Sequence, residues 1–319
     1  MSRYRIEPLE FAGLTTIPIR ARGGKVRVED FAAPHRKGSG LEGFFASLPR
    51  ILAADSLRAV IEALRGAKAK GRPILWGLGG HVIKCGLAGV LLDLMRRGFA
   101  TGFVMNGAAS IHDFEIAIAG CTSEDVESVL PDGRFGTAEE TGREMNEAIV
   151  VGARDGIGMG EALGRRLDAI ADGAYAEASL LLGAWRASVP VTVHVAVGTD
   201  TPHTYPQADG AAIGAATHHD FRLLCRLVTE LGEGGVYLNV GSAVVLPEVF
   251  LKAVSVVRNL GHPLLHFTTV NLDFLQHYRP KVNVVDRPHA KAGGRGYSLT
   301  GHHEIMVPLI AAALVESEG

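Results

Sequence analysis

Short apolar runs alternate with longer amphipathic stretches along the chain. The first clear helix signal starts at Asp55-Ser56, two polar cap residues, with Leu57, Val60, Ile61 and Leu64 following on one face. Residues 73–77 (Pro-Ile-Leu-Trp-Gly) read as a short apolar strand. Residues 83–97 read as a helix with Leu87, Val90, Leu91, Leu94 and Met95 along one side, and 103–105 as the next strand. The stretch 137–188 is dominated by Ala, Leu and Glu and reads as mostly helical. Strands are predicted at 191–197, 236–240 and 265–270, and helices at 220–231, 247–260 and 304–315, the last with Pro308 near its start. The strands are apolar throughout rather than alternating. That predicts an α/β fold with a doubly wound, mainly parallel sheet flanked by helices. Residues 1–50 lack this periodicity and read as an N-terminal arm, packed on the body or on a neighbouring subunit. Residues 51–319 read as a single domain.

Composition narrows the function classes. The chain has 319 residues and a formal net charge of -2, which favours neither nucleic acid nor an anionic membrane as partner. No charge-free apolar run approaches the ~20 residues of a membrane span. The three cysteines, Cys85, Cys121 and Cys225, are widely spaced and odd in number, so a reducing, cytoplasmic setting is expected. Glycine is in excess, 40 of 319 residues against a typical ~7%. Many of these glycines fall at the predicted carboxyl ends of strands, where open α/β sheets bind ligands.

Gly77-Leu-Gly79-Gly80-His81 leads straight into a helix and suits a phosphate, though Val82 replaces the last glycine of a GxGxxG pattern. Asn106-Gly107-Ala-Ala-Ser110-Ile-His112-Asp113-Phe-Glu115 places small residues ahead of a polar cluster. Ser110 and Asp113 are helix-cap candidates, and His112-Asp113 are candidates for a ribose hydroxyl or a proton in transit. Further turns are Gly198-Thr199-Asp200, Asp209-Gly210, Val240-Gly241-Ser242 and Asn271-Leu-Asp273. The segment 287–296 is basic and glycine-rich and reads as a flexible flap. Asp200, His203, His218, His219 and Asp220 are a conceivable metal set, but their spacing matches no HExxH-like motif and no metal ligands are assigned. The run from Ala148 to Gly158 imitates a dehydrogenase glycine turn. It lies between helical stretches and lacks a later YxxxK pair, so it reads as helix–loop–helix.

The order of these turns resembles deoxyhypusine synthase from about residue 55 onward. Gly77–Gly86 falls at that family's first nucleotide-facing turn, and Asn106–Glu115 at its small-residue loop. Asp209-Gly210-Ala-Ala-Ile-Gly214 is similar to its DGSxxG stretch, with Asp200 a competing match. Residues 240–245 (Val-Gly-Ser-Ala-Val-Val) resemble its GGGVV strand end. The resemblance implies a Rossmann-like NAD-binding fold and a homo-oligomer, dimer or tetramer. It implies a small-molecule amine as substrate. It also implies a cofactor site at Gly79, Gly80, Asn106, Gly107, Asp113, Asp200, Asp209, Gly241 and Ser242. The family's catalytic lysine lies in a WGK segment before the last helix. Here that region reads Asp286-Arg-Pro-His-Ala-Lys291, which makes Lys291 the nearest substitute, with His112 and His81 as acid–base candidates. The family's substrate histidine is replaced by Pro247-Glu248, and its first-turn Ser–Asn pair by Gly80-His81.

Two expectations follow. One is an NAD-dependent aminoalkyl transferase or amine-oxidising enzyme working through an imine, with Lys291 as nucleophile. The other is a ligand-binding protein of the same fold that has lost the chemistry. A metal-dependent hydrolase built on the histidines is a third.

Overall fold

The computed structural model describes residues 3–316 and 318. Its centre is a six-stranded, all-parallel sheet in the order β3-β2-β1-β4-β5-β6. The strands are β1 Ile74–Leu78, β2 Gly102–Asn106, β3 Val191–His194, β4 Val236–Val240, β5 Thr268–Asp273 and β6 Arg295–Thr300. The main helices are α1 Gly40–Ser47, α2 Leu52–Ala69, α3 Gly80–Lys84, α4 Ala88–Arg96, α5 Gly107–Ala119, α6 Glu139–Asp155, α7 Met159–Ile170, α8 Leu180–Arg186, α9 Gly210–Thr229, α10 Val245–Asn259 and α11 His303–Glu316.

The two-residue side-chain period of the strands divides the core. Trp76, Leu78, Phe103, Met105, Leu238 and Val240 point to one face and join the helices α2, α4, α5 and α11. Leu75, Val104 and Tyr237 point to the other, under α9 and α10, where Tyr237 stacks on Phe250 with ring centroids 3.7 Å apart. Burial on both faces is why the strands read as unbroken apolar runs.

Several elements differ from the sequence reading. The first body helix starts at Leu52, ahead of Asp55. The predicted helix 83–97 is two helices, α3 and α4, separated at Gly86, whose φ of +73° ends a helix readily. The helix before β4 begins ten residues earlier than Asp220. The glycine-rich segment expected to be a flap is partly an edge strand, β6, paired to β5 from Thr268↔Arg295 to Asp273↔Thr300. A Cβ on Gly296 would lie 2.1 Å from the Val285 carbonyl oxygen, so glycine is needed there for close packing. The helix–loop–helix reading of 139–170 matches the structure: Gly156 ends α6 at φ +73° and Gly158 caps α7.

Ahead of α1 the arm adds no strand to the sheet. Tyr4, Ile6, Leu9, Phe11 and Leu14 are each more than 70% exposed, an unusual density of apolar side chains in solvent. Among the described residues, no helix is long and apolar enough to cross a membrane.

Candidate functional site

Strand order reverses between β1 and β4, and the turns after these two strands meet there. The Gly79 N–H donates to the Val240 carbonyl at 2.9 Å. A Cβ built on Gly79 would sit 2.0 Å from the Gly241 carbonyl oxygen, and one on Gly80 3.0 Å from the Ala108 Cβ. Gly241 has φ +69°, and a Cβ built on it would lie 3.0 Å from His303 Cε1. Bare backbone is therefore required on both sides of the switch point. Ser242 is buried and accepts the Leu246 N–H at 3.2 Å, fixing the start of α10.

The neighbouring turn, after β2, is a helix start. Asn106 caps α5 by accepting the Ala109 N–H at 2.9 Å. Asp200 presses on this helix end: its Oδ2 would lie 2.0 Å from a Cβ on Gly107, is buried and has no hydrogen-bond partner. Burial raises the Asp200 pKa above the usual carboxylate range. His112, on the first turns of α5, lies with Cδ2 3.2 Å from a Cβ on Gly80, and its Nδ1 is 2.7 Å from the Thr122 hydroxyl. Thr122 in turn donates to Glu115, which also accepts from Thr141 at 3.2 Å. Gly79, Gly80, Asn106, Gly107, His112, Asp200 and Gly241 thus share the carboxyl edge of the sheet.

Three residues of the sequence-predicted site sit elsewhere or do something else. Asp113 does not face the crevice. It is fully buried and accepts from the Ser179 hydroxyl at 2.6 Å and from the Leu180 and Leu181 N–H groups at 2.7 and 2.8 Å, capping α8. Asp209 is exposed and caps α9 through Ala211 and Ala212. Lys291 precedes β6, whose first residue pairs with the first residue of β5. It therefore lies at the amino edge of the parallel sheet, a strand length of six residues, about 20 Å, from the carboxyl edge. Within one chain it cannot attack a ligand bound beside Gly79.

The histidine segment also separates. Asp220 is buried beneath α7, where it accepts the Gly160 N–H at 2.9 Å and the Val193 N–H at 2.8 Å. It stitches α7 to β3, and burial raises its pKa to about 7. Among the described residues the group whose ligand atoms converge is instead His81, Cys85 and Glu304. Sequence reasoning singled out the Asn271-Leu-Asp273 turn at the end of β5 but missed its carboxyl-edge neighbours Phe274, His303 and Glu304. His303 is fully buried, with Nε2 3.6 Å from Asp273. Burial, more than any neighbour, holds its pKa below the usual histidine value, so it is neutral near pH 7. A buried ladder sets the turn: the Asn239 amide donates to Asn271 at 2.8 Å, and the Asn271 amide donates to Gln276 at 2.8 Å. Two grooves of about 440 Å³ lie elsewhere, one between α6 and α7 beside Arg165, the other between α9 and α10 beside Cys225.

No protein-family model matches the chain, and no curated protein matches it in sequence. Solved structures do match in shape. A conserved putative LOR/SDH protein from Methanococcus maripaludis S2 superposes on 84% of this chain and 71% of its own, with a TM-score of 0.52 and 12% identity. ArgZ, an arginine dihydrolase of the cyanobacterial ornithine-ammonia cycle, superposes on 82% of this chain at TM-score 0.51 and 14% identity. Unliganded AgrE does so on 82% at TM-score 0.50 and 15% identity. This chain spans about a third of the length of ArgZ and of AgrE.

The chain shares their fold. A putative deoxyhypusine synthase from Entamoeba histolytica aligns over 89% of this chain and 96% of its own at 11% identity, with a looser TM-score of 0.49. AgrE has also been solved with ornithine and NAD+. The doubly wound fold expected from the sequence is the fold observed.

Proposed function

We propose that the chain is an NAD-dependent enzyme acting on a small amine, with the nucleotide seated across the seam between Gly79 and Gly241. The observation that carries this reading is the pair of bare glycine turns at the switch point. With no Cβ there the two turns close on each other, so backbone rather than side chains lines the switch point, and the N-terminus of α5 lies beside it to favour a diphosphate. Bound NAD would supply the hydride acceptor; the protein would orient and balance charge.

The chain's own residues have matching roles. Asp200, with its unpartnered buried oxygen, receives an ammonium group or a ribose hydroxyl. His112, held through Nδ1 by Thr122, presents its other edge toward Gly80 and takes the proton released as the amine carbon is oxidised. The reaction is then amine oxidation, not aminoalkyl transfer through Lys291, because that lysine lies at the far edge of the sheet. Ornithine in the AgrE complex supports an amine as ligand class. The exposed apolar arm supports a homo-oligomer, the partner copy covering side chains such as Ile6, Leu9 and Phe11.

Calorimetric titration with NAD is the first test, and no heat at millimolar cofactor would sink the reading. A panel of polyamines and ornithine, followed by NADH absorbance, tests turnover. The position of Lys291 favours a second reading, a diverged binding protein. It expects ligand binding without NADH formation across that whole panel.

A further inference from the structure

The group formed by His81, Cys85 and Glu304 plays no part in the nucleotide seat. His81 and Cys85 are four residues apart on one helical turn, closed by the Cys85 N–H donating to the His81 carbonyl at 2.9 Å. This spacing stacks their side chains on one face. Glu304 arrives from the first turn of α11, more than two hundred residues later. His81 Nε2 lies 3.3 Å from Cys85 Sγ, and Sγ lies 3.7 Å from a Glu304 oxygen. All three ligand atoms fall within 4.8 Å of one another. A tetrahedral ion with Zn–N of about 2.0 Å and Zn–S of about 2.3 Å holds nitrogen and sulfur about 3.5 Å apart. The His81–Cys85 and Cys85–Glu304 spacings match that requirement, and the third pair lies within 4.8 Å.

The surroundings orient the set. His302 Nδ1 lies 3.8 Å from the other Glu304 oxygen. Phe274 stacks on His302 at 5.9 Å and meets the His81 ring edge-on at 6.0 Å. His303 packs on His81 as well, 5.4 Å between centroids, and lies 6.0 Å from Phe274. These ring contacts limit the orientations open to the His81 imidazole.

We infer that His81, Cys85 and Glu304 bind one divalent ion of the zinc class, with a fourth position open to water or to a substrate carboxylate. One sulfur, one imidazole nitrogen and one carboxylate oxygen select a borderline ion over magnesium or calcium, which prefer all-oxygen shells. Three protein ligands and one open position characterise reactive rather than purely structural zinc centres. The site stands at the mouth of the crevice, since His303 covers Gly241 and also packs on His81.

Cobalt substitution tests this on the full chain in the absence of NAD, so its failure and that of the nucleotide reading are distinguishable. Titration of the purified, chelator-treated protein with Co2+ is expected to saturate at one equivalent and to develop a thiolate-to-cobalt absorption band. Cys85→Ser removes the band, and His81→Asn and Glu304→Gln weaken binding by at least ~10-fold. Cys121→Ser and Cys225→Ser leave the band unchanged. No thiolate band at saturating Co2+, or a band that survives Cys85→Ser, overturns the assignment. A second measurement needs no variant: Zn2+ at one equivalent should protect one of the three thiols from alkylation, identified as Cys85 by mass spectrometry. Unprotected Cys85 overturns the assignment as well.

Discussion

Replacing Gly79 by alanine tests the switch-point seam directly. The Gly79 backbone, φ -83° and ψ 164°, is one that alanine adopts freely, so the penalty comes from contact alone. The new methyl would lie 2.0 Å from the Gly241 oxygen, 2.5 Å from its carbonyl carbon and 3.1 Å from the Ser242 nitrogen. Ordinary contact distances of about 3.5 Å force the two turns at least ~1 Å apart. Overpacking of this kind costs about 1–3 kcal/mol, and loss of the Gly79–Val240 hydrogen bond adds about 1. The sum, about 2–4 kcal/mol, lowers the melting temperature by roughly 3–6 °C in a chain of 319 residues. Differential scanning calorimetry with and without NAD reads both effects: the drop itself, and loss of the stabilisation by cofactor. Gly66→Ala is the control. That glycine lies inside α2 with nothing within 4 Å of its missing Cβ, and alanine there should gain up to about 1 kcal/mol. A Gly79→Ala protein that melts with the wild type and still gains stability from NAD would refute the reasoning.

Two carboxylates, Asp113 buried under α8 and Asp200 at the crevice, separate structure from binding. Asp113→Ala strands three buried donors at the start of α8 and should cost about 3–5 kcal/mol in a denaturant melt, with NAD affinity of the folded fraction unchanged. Asp200→Asn should leave the melt within about 1 kcal/mol of wild type and weaken amine or NAD binding by about tenfold or more in calorimetry; equal affinity removes Asp200 from the site. Asp220 gives a pH signature. Its folded pKa, raised by burial to about 7, exceeds its unfolded value, so its contribution is complete below about pH 4 and fades as pH rises through about 7. A shift from 3.8 to about 7 sets an upper limit near 4 kcal/mol. Thermal melts of Asp220→Asn should therefore lose less stability than wild type between about pH 5 and about pH 8, and parallel curves would contradict this.

The strands flanking the switch point were legible because both of their faces are buried. Residues 74–78 are a continuous apolar run, and 236–240 are apolar but for Asn239, whose amide is bonded to Asn271. β6 was hidden for the converse reason. Edge strands meet solvent, and Arg295-Gly-Tyr-Ser-Leu-Thr300 is apolar chiefly at Leu299, so its composition imitates a loop. Lys291 was named from the resemblance, and the unseen strand after it is what puts it at the amino edge. In a parallel sheet, adding a strand after a residue assigns that residue to the amino edge. Asp113 failed differently. A carboxylate near a helix start reads as its cap, and the sequence carries no sign that the N–H groups it serves belong to α8, nearly seventy residues on. The convergence of Cys85 with Glu304 is likewise a tertiary event with no local pattern.

The order of strands has a consequence for how the molecule comes into being. Its central pair, β1 and β4, joins Ile74 to Val236, partners about 160 residues apart in the chain. β2 can dock on β1, and β3 on β2, well before β4 exists, yet Gly79 then faces water and no Gly241 closes over it. The ligand seat therefore closes only once a strand more than 150 residues downstream of β1 has joined it. A chain cut anywhere before residue 236 leaves an open, apolar strand edge at β1, and its expected fate is aggregation rather than a smaller working unit.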